Sequence, residues 1–459
     1  MYSKILKPEY VFVVLGLLAG LLFVFLVPPF QSPDEPVQFG KAVAISQGQF
    51  LSVKKDGVSG NYLPKSLEDF ELFYRGMCFG LTEKTSFKKI VESRNITLEE
   101  GNKVFTDLKY HSMYSPLAFL PQSAGVFIAK FFTDSVYWIM ICAKLSLLLF
   151  YLIFGYYSIK SMPFAKNLAL LVLLMPMSLF LGASGSADGV LISVSIFFVA
   201  KIFQYCFQKK VITDKQYAIL FACAIALSLI KQSFLLSLFV LFIPKEKFGV
   251  KANIKLTALL LTSLLVSVLW SKFAYSVFVP MNGANPEKQI QFIIQNPIIY
   301  LKLFLDNILK QFYLILYSFI GVLGWMNVRL FPYPFVYYLY LFLFAGNIFL
   351  KSDEDINNVA FLNWQKFFIL LWGILNFVFI CTTVYVSWVK PYYIGLFYGL
   401  QGRYFIPIAL PFLLLLYFTD TKVFKVIHFK YLTLLNALFL IFVYICVFLT
   451  VYIRYYVIF

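Results

Sequence analysis

The sequence predicts an all-α polytopic membrane protein with about 11–14 transmembrane helices and a long first outer loop. Two observations carry that expectation. Hydrophobic residues make up 61% of the 459-residue chain and charged residues only 13%, with a mean hydropathy of +0.80. A soluble domain carries about twice that charged fraction. Apolar runs of roughly 18–20 residues, long enough to span a bilayer as a helix, recur along the chain. The alternation of a β-barrel strand is absent.

The first run, Tyr10 to Val27, follows Lys4 and Lys7. A cleavable signal has a shorter apolar core and a small-residue cleavage site. This run ends instead in Val27-Pro28-Pro29-Phe30. Residues 1–28 are therefore read as a retained helix with a cytoplasmic N-terminus. Residues 29–113 form the first extracytoplasmic loop, longer than an ordinary connection and so a functional candidate. Residues 114–459 form a multi-helix transmembrane domain. It opens with a weaker run, 115–132, broken by Pro121 and Gln122. Spans follow near 136–157, 166–184, 189–205, 216–230, 233–244, 255–275, 298–312, 313–328, 335–350, 366–388, 404–418 and 431–452. Gln289 to Lys310 mixes Ile, Phe and Leu with Gln, Asn, Lys and Asp, and is expected on the membrane surface.

The net charge of +17 is unevenly placed. Residues 29–112 hold eleven basic and eleven acidic side chains, and the rest of the chain 28 basic and 11 acidic. The short connections with Lys160/Lys166, Lys209/Lys210/Lys215, Lys245/Lys247/Lys251 and Lys422/Lys425 should be cytoplasmic. All four fall on one side if 115–132 does not cross. The same count puts Asp34, Asp188 and Arg403 outside. The dispersed cations suit lipid headgroups and speak against nucleic acid. Six scattered cysteines without a CxxC pair, and two distant histidines (His111 and His428), give no disulfide framework or metal cluster. The candidate acids Asp34, Glu35 and Asp188 lack DxD spacing, so no metal or other cofactor is expected.

Phe30-Gln31-Ser32-Pro33-Asp34-Glu35-Pro36 places two carboxylates at the boundary after the first span, bracketed by prolines. A carboxylate near apolar surface holds its proton more tightly, which suits general-base work; the pair could equally cap a helix. Asp188 lies in the small-residue turn Ser184-Gly185-Ser186-Ala187-Asp188-Gly189, either as a costly intramembrane acid with a function or as a helix cap. Arg403, in Gln401-Gly402-Arg403-Tyr404, is either a phosphate clamp or a snorkelling side chain. Lys231, between two short spans, offers another cation at depth. Lys144, inside a span, is read as such a cation or as snorkelling. Tyr110-His111-Ser112-Met113-Tyr114-Ser115-Pro116 returns the loop to the membrane, where its Tyr, His and Ser could contact a sugar or anchor the interface. Gly321-Val322-Leu323-Gly324-Trp325-Met326-Asn327 reads as a structural turn.

These motifs together resemble a bacterial membrane family catalogued as domain of unknown function 2142. Pro28 to Pro36, with Ser46-Gln47-Gly48, is similar to its opening signature. Tyr114-Ser115-Pro116, Ser184 to Asp188, Gly321 to Trp325 and Gln401 to Tyr404 are similar to its later landmarks, in the same order. Gln38 departs from the pattern, which often has a His there. The family in turn resembles the type C glycosyltransferases (GT-C), which use polyprenyl-phosphate-linked sugars and carry a catalytic acid just after the first helix. That resemblance implies a GT-C-like fold and an inverting glycosyltransferase at the outer face of the bacterial inner membrane. Asp34 would be the general base, with Glu35 as the fallback base or as the residue that orients it. Arg403 and Lys231 would hold the donor phosphate. Asp188 would bind the acceptor or orient a cation, and His111, Tyr114, Gln401 and Tyr404 fall on the sugar and acceptor side. The expected partners are a polyprenyl-phosphate sugar, a glycan acceptor that is itself lipid-linked or not, and the bilayer. A transporter, flippase or polymerase of lipid-linked glycans is the alternative. A transporter predicts paired repeats and ionisable groups near mid-membrane, whereas here the acids cluster beside the long loop. A nucleotide-sugar donor is disfavoured by the lack of a Gly-rich phosphate loop.

Overall fold

A computed structural model describes residues 7–80, 82–280, 283–351, 361–397, 399–417 and 427–457. Among these, seven helices are long and apolar enough to cross a membrane. The first, α1 (Pro8–Leu26), starts with proline in its first turn, where no amide bond is lost. It stops before Pro28-Pro29, which cannot continue a helix.

The outer loop is not purely helical. Its elements are α2 (Glu35–Ser46), β1 (Val53–Lys55), β2 (Val58–Pro64), α3 (Ser66–Phe79), α4 (Phe87–Ser93) and β3 (Lys103–Asp107), and the strands form an antiparallel sheet in the order β1-β2-β3. The β1–β2 turn is Asp56-Gly57, with φ of 49° and 79°. Two positive φ angles are what a tight hairpin needs, and Asp-Gly supplies them. The all-α expectation is thus corrected within the loop, where this dipeptide was the readable signal.

The segment expected at 115–132 forms a short turn and then α5 (Leu120–Ala129). Before it, the Ser112 hydroxyl donates to Ser59 O (2.7 Å); after it, Leu98 N donates to Asp134 O (2.7 Å) and Val136 N to Ile96 O (3.0 Å). Both ends therefore rejoin the same loop domain, and the segment does not run through to the far end of the bundle. It packs along α6 (Val136–Ser161), with Gly125 against the Cys142–Ser146 stretch.

The 166–184 run is two helices, α7 (Lys166–Leu173) and α8 (Pro176–Gly182), because Pro176 withholds an amide. Next come α9 (Ala187–Phe207) and α10 (Asp214–Leu229), the latter opened by a Thr213/Gln216 capping box. The chain then breaks at Lys231, whose φ is 49°, and continues in short turns to α11 (Ala252–Ser276). The surface segment expected at 289–310 is not one unit, and its second part belongs to a helix long enough to cross a membrane. It divides at Asn296-Pro297 into α12 (Pro286–Gln295) and the start of α13 (Pro297–Ile320). The two spans expected at 298–312 and 313–328 are replaced by that one helix, which ends at Ile320; Val322-Leu323 and Val328-Arg329 then pair as short antiparallel strands. The polar residues of α13 do not interrupt it because they find partners within the bundle: Lys310 pairs with Asp306 (3.1 Å), Asn307 Oδ1 accepts from Phe397 N (2.9 Å), and Gln311 Nε2 donates to Phe397 O (3.0 Å), although Gln311 Oε1 stays unpaired. The last helices are α14 (Phe335–Phe349), α15 (Asn363–Trp388), α16 (Ile406–Tyr417) and α17 (Leu432–Tyr456). Among the described residues the long helices number seven, against the 11–14 expected. The other apolar runs are broken or too short; α10, at 16 residues, reaches about 24 Å against a hydrocarbon core of about 30 Å.

The basic connections converge on one end of the bundle. Ile212 N donates to Lys247 O (2.7 Å), and Lys255 pairs with Asp214 (2.9 Å). The Phe164 ring meets those of Phe207 and Phe361 at 5.3 and 5.9 Å. Lys4, Lys422 and Lys425, and most of the charged 351–355 stretch, lie outside the described residues. The loop domain occupies the other end. Arg454 of α17 anchors it there by donating to the carbonyls of Met77 (2.9 Å), Gly80 (2.7 Å) and Glu83 (3.0 Å).

Candidate functional site

Asp34 is set by its backbone. Phe30 and Asp34 have φ of 64° and 59°, a left-handed conformation that Asp tolerates better than most residues. Asp34 precedes the first turn of α2 but makes no side-chain cap there. Its carboxylate instead faces a cavity of about 630 Å³, and its side chain is 40% exposed.

Asp188 reaches the same cavity from the start of α9. Its helix is capped by Ser186, whose hydroxyl accepts from Asp188 N (3.1 Å). The carboxylate is therefore released from the capping role that local sequence allowed. It pairs with Lys231 and lies 3.3 Å from Arg403 Nη1. Arg403, on the turn Gly402–Phe405 before α16, also places Nη2 3.7 Å from Asp34 Oδ2, and its Nε donates to Gln401 Oε1 (2.6 Å). It is buried and does not snorkel. Its guanidinium stands over the Tyr404 ring at 5.2 Å, and Lys231 Nζ over the Tyr114 ring at 5.2 Å.

Two acids and two cations from distant parts of the chain thus meet in one place. The acids are not equivalent. Asp188 is 8% exposed with two cationic partners, whereas Asp34 is open to the cavity with one looser contact. Asp34 is the carboxylate that stands open to the cavity; Asp188 is the one paired with both cations.

His111 and Tyr114 also line the cavity, their rings edge-to-face at 5.2 Å. His111 lies in the loop, not in a span. Burial lowers its pKa to about 4, Asp34 pulling the other way. The unfolded histidine titrates near 6.5. Between pH 6.5 and about 4 the unfolded chain therefore binds a proton that the folded one does not. Stability from this group is complete above pH 6.5 and is lost as pH falls toward 4. We expect His111→Gln to reduce the acid-side loss of stability by about 2–3 kcal/mol between pH 7 and 4.5, seen as a shallower fall in melting temperature. Melting curves of the detergent-solubilised protein at the two pH values check this.

Tyr404 lines the cavity, but Gln401 is not part of the wall and acts through Arg403. Glu35 is not in the wall either. It is fully buried and paired with Lys144 at 3.0 Å, so Lys144 does not snorkel. Sequence reasoning missed Gln38, Trp325 and Asn376, which all line the cavity. Gln38 lies one helical turn beyond Asp34, and its backbone N–H donates to Asp34 O (3.1 Å). Trp325, in the stretch read as a structural turn, donates from its indole to Phe30 O (2.8 Å). Asn376 was visible as a lone amide within an apolar span, where polar groups tend to be functional. The remaining wall is largely apolar and aromatic, with Ala274 and Phe278 on one side and Phe379, Ile380, Val384 and Trp388 of α15 on another.

The site is deep. Gly189, beside Asp188, packs against Leu147 of α6. That is about 16 Å along α6 from its loop-side end at 1.5 Å per residue. Among the described residues, no group of three or more His, Cys, Asp or Glu side chains is placed to hold a metal ion.

The family described as predicted membrane protein (DUF2142) matches residues 17–413. The chain belongs to that family. No curated protein and no solved structure matches the chain.

Proposed function

We propose that this DUF2142 member is an inverting, GT-C-like glycosyltransferase. It would move a sugar from a polyprenyl-phosphate donor to a surface glycan, such as O-antigen or another envelope polysaccharide. The observation that carries this reading is the open carboxylate of Asp34 beside Arg403 and Lys231, in a cavity walled by apolar helices. A lipid phosphate donor has an apolar tail, a monoanionic phosphodiester and a reactive anomeric carbon. Apolar walls, cations and a base answer those three parts in turn.

In the proposed reaction Asp34 accepts the proton of an acceptor hydroxyl as its oxygen attacks the anomeric carbon. The bond from that carbon to the phosphate oxygen breaks with inversion, and polyprenyl phosphate leaves. Arg403 and Lys231, pre-placed by Asp188, stabilise the charge on the leaving phosphate. His111, Tyr114 and Tyr404 border the sugar. The site opens to the extracytoplasmic side, a sidedness supported by the lysine-rich connections at the opposite end.

Reconstituted protein, given a panel of radiolabelled polyprenyl-phosphate sugars and a glycan acceptor, should release polyprenyl phosphate in step with label entering glycan. Translocation of intact donor across the bilayer, without cleavage, would replace this reading with a transporter. Sidedness has its own check: an impermeant maleimide on spheroplasts should label Asn95→Cys and spare Lys210→Cys. The reverse pattern would invert the topology.

A further inference from the structure

Glu35 touches both acid-bearing segments at once. Its Oε2 accepts from Ser32 N (3.3 Å), two residues before Asp34. Its Oε1 accepts from Gly185 N (3.1 Å), three residues before Asp188, and from Lys144 Nζ (3.0 Å). Gln38, one turn on, repeats the connection: its Nε2 donates to Pro33 O (3.0 Å) and its Oε1 accepts from Ala187 N (2.6 Å). From below, Gln122 of α5 donates to the carbonyls of Gly185 (3.3 Å) and Ser186 (3.2 Å). The two segments come from opposite sides of a long loop, yet their backbones are joined through side chains that do not enter the reaction. Glu35 and Lys144 are 0% and 3% exposed in their side chains. Two charges so far from water persist only when each answers the other.

We propose that the Glu35–Lys144 pair is a positioning device that fixes the separation of Asp34 and Asp188, so that one arginine can face both. Arg403 lies 3.7 Å from the first acid and 3.3 Å from the second. Those distances depend on where the 32–35 and 184–188 backbones sit, and Glu35 bonds to both. Lys144 neutralises the carboxylate without competing for it elsewhere, because α6 carries it to that depth. Glu35 is thereby separated from its neighbour in role: Asp34 faces the cavity, and Glu35 holds the frame. The inference rests on the glycosyltransferase reading for its kinetic test, but its geometry can be read without activity.

Four full-length variants in membranes test it. Glu35→Gln leaves Lys144 unanswered and Lys144→Met leaves Glu35 unanswered; each should lower kcat by about 100-fold, the cost of an ångström-scale misplacement of reacting groups. KM for a polyprenyl-phosphate sugar should change less than kcat, since Lys231 and Arg403 are carried by other elements and shift only as far as Asp188 does. The double variant Glu35→Gln/Lys144→Met removes both charges but keeps an oxygen for Gly185 N. It should recover at least tenfold over either single variant. Glu35→Ala/Lys144→Met is equally neutral but lacks that oxygen, and should not recover. Hydrogen exchange gives the activity-independent readout. A peptide covering 183–190 should stay protected in the Gln/Met double variant and lose protection in the Ala/Met one. Protection retained in Ala/Met would overturn the tie. A Gln/Met variant with intact protection and no recovered turnover would make Glu35 a reacting group instead. If the wild type transfers no sugar while the exchange pattern holds, the reaction assignment fails and the tie stands.

Discussion

Asp34→Asn is expected to lower sugar transfer by roughly 10²–10⁴-fold, the range for loss of a general base, while insertion and abundance stay at the wild-type level. Asparagine is the informative replacement because the backbone here is left-handed, with φ of 59°. Asn accepts that conformation about as well as Asp does, whereas alanine would add backbone strain and confuse the readout. The amide keeps the size and one oxygen but cannot take a proton. The Arg403 contact to this residue is loose, at 3.7 Å, and Arg403 keeps Asp188 at 3.3 Å. The fold should therefore tolerate the change, and the loss should appear in kcat. Transfer within threefold of wild type, at equal abundance, would remove Asp34 from the chemistry.

The second large effect is at Arg403. Its guanidinium reaches Asp34, Asp188 and Gln401 at once, which a planar fork can do and a single ammonium cannot. Arg403→Lys is expected to keep the buried Asp188 answered, and so to keep the melting temperature within a few degrees. It should lower kcat/KM for the donor by about 100-fold, or about 2.7 kcal/mol of transition-state stabilisation. Arg403→Ala goes further. It leaves a buried acid with one partner instead of two, and about 3 kcal/mol of stability is expected to go as well. The pair separates the roles: a lysine variant with normal kinetics makes Arg403 purely structural, and a lysine variant that melts early makes the kinetics uninterpretable as clamp loss and assigns the residue to the fold. Kinetics and melting on the same preparations decide between these outcomes.

The candidate site was more legible than the helix boundaries, and the reason is cost. A charge at the end of an apolar span is expensive, so Asp34, Asp188, Lys231 and Arg403 each stood out singly. The structure brings all four together. Partner choice was not legible. Nothing local in Glu35 or Lys144 says that they meet each other 3.0 Å apart, because that depends on how α6 passes the loop. Wall residues such as Phe379 and Val384 look like any lipid-facing side chain, and only the gap they border distinguishes them. Helix lengths misled for a related reason. Polar residues on α13 suggested an interruption, but the backbone at Phe397 bonds to Asn307 and Gln311, and that segment lies far off in sequence.

The anchoring of the loop by Arg454 also orders events during synthesis. Its partner carbonyl at Met77 precedes it by 377 residues. At 5–20 residues per second that interval is roughly 20–75 s. Through that time the long first loop, with Asp34 on it, exists without its last tie. Asp188 waits for Lys231, 43 residues on, and for Arg403 farther still. The nascent chain thus carries unanswered carboxylates before it carries their cations, and the centre becomes complete only as the final helices arrive. The ribosome, in effect, delivers the acids first and Arg403 late, so an unfinished chain holds the carboxylates without the cation that faces both.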